Sequence, residues 1–263
     1  MIFELFPELW YGPILATFVW TLLLGSGAWL LVFHTPFFNR HLQTEFDSVL
    51  CTILNLIFVF FMAFMGSEFH ANYKSATDNL VKEKTAVNRL MQMEFPTETF
   101  RQAAMASLRT YLDAVVNVEW QENHNRKESA KAEQALSELN AIGVQARRDC
   151  TLQPSTDCMD AITASSYANA VDDLREARDY RLATGSLERQ TLRYLLCMFL
   201  AFNATLSILA LYRKDRRAAV APIVMYCASV WVAFMIVVLH AEPYVGVRGI
   251  EPDVLEQMLQ HLS

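Results

Sequence analysis

Charge is scarce in this sequence: Asp, Glu, Lys and Arg make up 19% of its 263 residues, against 53% for hydrophobic ones. Soluble domains carry about 25% charged residues, so a wholly water-facing surface is excluded. Catalytic signatures are missing as well. The six histidines stand at 34, 41, 70, 124, 240 and 261, with no i, i+4 pair and no HExxH. GxGxxG, the Walker loop and GxSxG are absent, so the nucleotide and serine-hydrolase chemistries those loops support find no footing. Net charge is −6 and no basic face is interleaved with aromatics, which excludes a nucleic-acid binder. Asp172 and Asp173 read as a solvated face and Glu68–His70 as a solvated helix start. The sequence therefore predicts no enzyme, no metal site and no cofactor.

What is present is long apolar runs. Four segments, Leu9–Phe33, Ser48–Ser67, Tyr194–Tyr212 and Ala218–Leu239, contain no Asp, Glu, Lys or Arg. Each is near the ~20 residues a helix needs to cross ~30 Å of hydrocarbon. The leader "MIFELFPELW" has two glutamates and no basic residue, so the first run reads as a retained span rather than a cleaved signal.

Orientation rests on the short hairpins, which obey the positive-inside rule. "RKDRR" at 213–217 packs four basic residues into five, and the other hairpin has Arg40 beside His34 and His41. The first dozen residues have no Lys or Arg, and the tail beyond His240 has only Arg248. The count places the hairpins in the cytoplasm, with both termini and the central region outside, in the periplasm of a bacterial inner-membrane protein. Lys74, Lys82 and Lys84 after the second span, and Arg175, Arg178, Arg181 and Arg189 before the third, pull the other way, but large domains cross regardless of charge.

Cys51, Cys197 and Cys227 fall inside spans, where cysteine packs as a small apolar residue. Cys150 and Cys158 alone lie in a polar loop, "RDCTLQPSTDC". In an oxidising compartment such a pair closes a short loop, so a Cys150–Cys158 disulfide is expected, conditional on the same orientation.

Residues 68–190 form an extramembrane region between spans two and three. Pro96, Gly143, Pro154 and Gly185 are its only helix breakers and are expected to divide it into four helices. Apolar stripes at helical spacing run through each: Leu80, Val87 and Met91; Phe100, Ala104, Leu108, Tyr111, Val115 and Val118; Ala132, Leu136, Leu139, Ile142 and Ala146; Tyr167, Ala170, Val171, Leu174 and Ala177. Each stripe needs a partner, which predicts an antiparallel bundle. No breaker beyond Gly66 separates span two from the helix after it, so the two are expected to be continuous. The predicted organisation is a first membrane hairpin (1–67), the bundle (68–190), a second hairpin (191–240) and an amphipathic tail (241–263).

The stretch "SEFHANYKSATDNLVKEKTAVNRLMQMEFPTETFRQAAMASLRTYLDAVVNVEW" resembles the bestrophin-like family of bacterial and plastid proteins. So does "LREARDYRLATGSLERQTLRYLL", and so does the tail "HAEPYVGVRGIEPDVLEQMLQHL", with its acidic residue, Pro, aromatic and Gly after the last span and a Pro-started helix. The likeness covers roughly residues 45–263. It implies an all-α, bestrophin-like membrane protein and a distant relation to bestrophins, homopentameric anion channels whose second span lines the pore and narrows at a neck of apolar rings.

Carried onto this chain, the resemblance implies a pore stripe of Thr52, Leu56 and Phe60, with Asn55 and Val59 adjoining. Leu56 and Phe60 fit bulky apolar rings four apart; Thr52 departs from them. The acidic calcium-sensing run of animal bestrophins is absent, so calcium gating is not implied. The expected partners are membrane lipid, chloride or another small anion, and further copies of the chain in a pentamer. The bestrophin domain is cytosolic, whereas the charge count places this one outside, so the two readings oppose each other on orientation. The alternative is a non-conducting scaffold or sensor whose helical bundle binds a partner.

Overall fold

The computed structural model describes residues 12–35, 47–152, 159–185, 191–240, 243–245 and 249–262. All described elements are helices. In chain order they are α1 (Gly12–His34), α2 (Ser48–Met91), α3 (Glu98–Asp113), which continues as a π-helical segment (Ala114–Glu122), α4 (Ala130–Leu152), α5 (Ala161–Gly185), α6 (Thr191–Leu211), α7 (Arg216–Leu239) and α8 (Asp253–His261). They sort into two compact units, Met1–Ala71 with Arg189–Glu242, and Asn72–Glu188 with Pro243–Ser263. The unbroken 44-residue α2 contributes to both, as the lack of a breaker after span two predicts.

The first unit holds the four helices long and apolar enough to cross a membrane: α1, α2, α6 and α7. The protein is an integral membrane protein of four spans. Between lipid-embedded helices the hydrophobic effect gives no drive, and close packing over small side chains takes its place. Ala28 of α1, Ala201 and Ala204 of α6 and Ala219 of α7 are buried accordingly. A Cβ on Gly25 would come within 2.9 Å of Cys227 Sγ, so glycine there lets α1 approach α7. Arg193 pairs with Glu68, and the rings of Phe69 and Tyr194 stack at 6.0 Å.

The second unit is a helical bundle whose core gathers all four predicted stripes. Leu80, Val87, Leu108, Tyr111, Val115, Leu136, Leu139, Tyr167, Val171 and Leu174 belong to one buried cluster. Thr97 starts α3 as its N-cap, its hydroxyl accepting from Phe100 N at 3.4 Å. The tail joins this unit: Leu255 and Met258 of α8 are buried in the same cluster, each worth roughly 1.5–3 kcal/mol of apolar burial.

One expected boundary is wrong. Gly143 does not break a helix; it lies inside α4, facing Tyr167 at a distance where a Cβ would meet the ring at 2.8 Å. Glycine serves there as a packing residue. The turn between the second and third bundle helices falls instead at 123–129, without Gly or Pro. His124 and Asn125 supply it at φ 50° and 57°, the left-handed region that Asn adopts more readily than most residues.

Candidate pore helix and a buried charge network

The membrane part of α2 has two unlike sides. Cys51, Phe58, Met65 and Phe69 are buried, and their seven- and four-residue spacing makes one stripe. On that side Ser207 Oγ donates to Cys51 Sγ at 3.4 Å and Cys197 Sγ to Met62 Sδ at 2.9 Å. The other side is left uncovered by the described helices: Leu56, Val59 and Phe60 are 66, 58 and 75% exposed. Thr52 is exposed with them, its hydroxyl donating to Ser48 O at 3.0 Å. Ile53, Ile57 and Phe64 widen the uncovered side beyond the predicted stripe.

Asn55 stands apart from the other four. It is half-buried at the border of the packed side, and its Nδ2 donates to Cys51 O at 2.8 Å. An amide in hydrocarbon that finds its bond one turn back is satisfied within its own helix. The structure thus brings Thr52, Leu56, Val59 and Phe60 to one open face and turns Asn55 toward its edge.

Of the predicted disulfide, Cys150 lies in the last turn of α4, where its side chain is not among those described, and Cys158 lies outside the described residues. Cys51, Cys197 and Cys227 are free thiols.

A second constellation, in the bundle, lies beyond the sequence expectations. Arg178 and Arg181 on α5, Glu83 on α2 and Glu119 in the π-helical segment are all fully buried. Arg181 grips Glu83 with two bonds, Nε to Oε2 at 2.8 Å and Nη2 to Oε1 at 3.1 Å. Its Nη2 also donates to Glu119 Oε2 at 2.9 Å, and its Nη1 to Asn125 Oδ1. Arg178 donates from Nη2 to Glu119 Oε1 at 2.7 Å and from Nη1 to half-exposed Glu133 at 2.7 Å. Tyr111 donates to Glu83 Oε1 at 2.6 Å, and Ser129 N to Glu119 Oε1 at 2.9 Å.

Two charges of each sign balance, and each carboxylate accepts several bonds, the conditions under which buried ions hold together. Burial works against the Arg181 charge, but Glu83 and Glu119 outweigh it and the guanidinium pKa rises. Burial, reinforced by the Glu83 charge, pushes the Tyr111 hydroxyl well above its usual range.

The tail closes over this cluster. The Arg181 guanidinium lies 5.1 Å from the centroid of Trp120, whose indole N–H donates to Ile250 O at 3.1 Å. Tyr244 meets Trp120 edge-on at 5.4 Å. Asn125, in its left-handed turn, packs so tightly on the end of α5 that a Cβ at Gly185 would overlap its carbonyl.

The sequence does carry a signal for these ions. Glu83 sits between Leu80 and Val87 on their stripe, and Arg178 and Arg181 extend the Tyr167–Leu174 stripe. Opposite charges on facing apolar stripes mark a buried pair, although in one dimension the arginines look like charges flanking the third span.

Residues 19–255 match the bestrophin-like domain. The chain belongs to the bestrophin-like family. Solved structures share the fold of this bestrophin-like protein. A tryptophan-to-alanine variant of a bacterial bestrophin homologue from Klebsiella pneumoniae aligns at TM-score 0.70 and 12% identity, over 95% of this chain and 96% of that one. A leucine-to-threonine variant of the Klebsiella homologue aligns at 0.64 and 12%, over 95% and 97%. A structure described as a membrane protein, with a proline-to-alanine change, aligns at 0.66 and 13%, over 95% and 96%. At these identities the likeness is one of fold. No curated protein matches the chain.

Proposed function

We propose that this bestrophin-like protein is a non-enzymatic channel, a pentamer in the manner of bestrophins, that passes chloride or another small anion along an axis lined by α2. The observation that carries this reading is the open apolar face of Thr52, Leu56, Val59 and Phe60, on the span that lines the pore in the related channels. A ring of Phe60 side chains forms a hydrophobic constriction of the kind that gates by dewetting, and aromatic ring edges carry the partial positive charge that favours an anion. Asn55 borders the path, its Nδ2 bonded one turn back to Cys51 O.

A partner-binding scaffold is favoured by a different feature. Val81 and Tyr180 on the bundle are 54 and 51% exposed, and Lys82 Nζ lies 5.9 Å from the Tyr180 ring centroid. Chloride efflux from liposomes holding the purified protein separates the two. The channel reading expects efflux above that of empty liposomes and a particle with five-fold symmetry in projection. A monomer without efflux would contradict it.

For orientation, we read the basic hairpin as cytoplasmic and the bundle as periplasmic, with Cys150 and Cys158 bonded. The burial of Arg178 and Arg181 supports this, because charges enclosed with Glu83 and Glu119 are not displayed to a membrane surface.

A further inference from the structure

The turn between α6 and α7 has a chemistry that neither the fold nor the channel reading uses. Leu211 ends one span and Arg216 begins the next, so the residues between them lie at the depth where hydrocarbon gives way to lipid headgroups. Arg213, Lys214, Arg216 and Arg217 crowd that short stretch against one carboxylate, Asp215. That carboxylate is occupied as the N-cap of α7, its Oδ1 accepting from Arg217 N at 3.0 Å and Ala218 N at 3.2 Å.

Arg216 is built in. Its Nη2 donates to Phe33 O, in the last turn of α1, at 3.2 Å, and its guanidinium carbon lies 5.1 Å from the centroid of the Phe33 ring. This ties one cation to the end of α1, and Lys214, Arg216 and Arg217 are all exposed. Arg217 is also at an unfavourable place, the first turn of a 24-residue helix, whose dipole is positive at that end. An anion beside it is attracted by both the guanidinium and the helix end, and so offsets the repulsion between them. At this depth in a bilayer the abundant anion is the phosphate of a phospholipid.

We propose that the Arg213–Arg217 turn binds the phosphodiester of an anionic phospholipid headgroup, with Arg216 held by Phe33 as the fixed point and Lys214 and Arg217 as the charges that select anionic over zwitterionic lipid. The same phosphate chemistry is offered by free inorganic phosphate; the membrane-surface position commits the site to lipid. The proposal is independent of conduction.

The test is native mass spectrometry of the full-length, delipidated protein titrated with phosphatidylglycerol or phosphatidylcholine of matched acyl chains, and separately with inorganic phosphate. Phosphatidylglycerol is expected to bind more tightly than phosphatidylcholine. Lys214→Gln with Arg217→Gln, which leaves the Arg216–Phe33 contact intact, is expected to weaken it about 25-fold, roughly fivefold per charge removed, with phosphatidylcholine unchanged. Arg217→Gln alone, expected to give the fivefold step, keeps the test usable if the double variant melts lower without lipid. Equal retention of the two lipids, undiminished phosphatidylglycerol binding in the variants, or displacement of the lipid by millimolar inorganic phosphate would overturn the proposal.

Discussion

Arg181 of α5 and Glu83 of α2 form a bidentate ion pair, with N–O distances of 2.8 and 3.1 Å, and neither side chain is exposed. Breaking such a pair from one side leaves a buried charge uncompensated, at a cost of about 3–5 kcal/mol. Arg181→Ala is therefore predicted to destabilise the bundle severely, because it leaves Glu83 without a cation and removes one of the two arginines that hold Glu119. Thermal unfolding of the purified protein checks this. A melting temperature within a degree or two of the parent would show that the carboxylates find other partners.

Tyr111 makes the cluster sensitive to alkali. Burial raises its pKa above the usual value of ~10, so below pH ~10 the folded and unfolded chains both hold the proton. Above that pH only the unfolded chain releases it, and stability falls as pH rises, by up to ~1.4 kcal/mol per pH unit from this group. Tyr167 and Tyr244 are raised in the same direction by burial and add to the effect. Tyr111→Phe is predicted to flatten the alkaline limb by one tyrosine's share, measured as melting temperature between pH 9 and 11. An unchanged slope would contradict the assignment.

Gly143 tests the packing between α4 and α5. A Cβ there would stand 2.8 Å from Tyr167, and the ring cannot simply retreat because its hydroxyl donates to Leu139 O at 2.8 Å. Gly143→Ala is predicted to cost about 1–3 kcal/mol as overpacking, despite alanine's better helix propensity. Gly66, with nothing near its missing Cβ, supplies the control: Gly66→Ala is predicted to be neutral or stabilising by up to about 1 kcal/mol. Equal melting temperatures for the two variants would refute the close contact.

The predicted Cys150–Cys158 bond bears on orientation. Intact mass is expected to rise by the mass of two hydrogens on reduction of that pair, since each disulfide carries two fewer hydrogens than its thiols. Two free thiols that label only after the cell is opened would instead place the bundle in the cytoplasm.

The membrane helices are legible in the sequence because a charge-free run of about 20 residues matches the thickness of the hydrocarbon layer and little else. The second span is legible as part of one long helix because nothing after Gly66 stops it. Periodicity alone makes the bundle's apolar stripes readable. Gly143 misleads because a glycine that permits close helix packing looks, in one sequence, the same as one that ends a helix. The turn at His124 and Asn125 is hidden because left-handed backbone there is held by tertiary contacts, Asn125 with Arg181 among them. The buried ions are hidden because a charge on an apolar stripe looks solvated until its partner on another helix is known. On α2 the family resemblance points to Thr52, Leu56, Val59 and Phe60, which lie on the open side, but Asn55 sits at its border, where one turn of helix decides between packing and exposure.

The most direct test of the channel assignment is planar-bilayer recording of the purified protein in symmetric chloride, with the parent and Phe60→Ala compared. If α2 lines an anion path narrowed by Phe60, the parent conducts, and removing the aromatic ring raises conductance or open probability. No current from the parent, and none gained in Phe60→Ala, would contradict it.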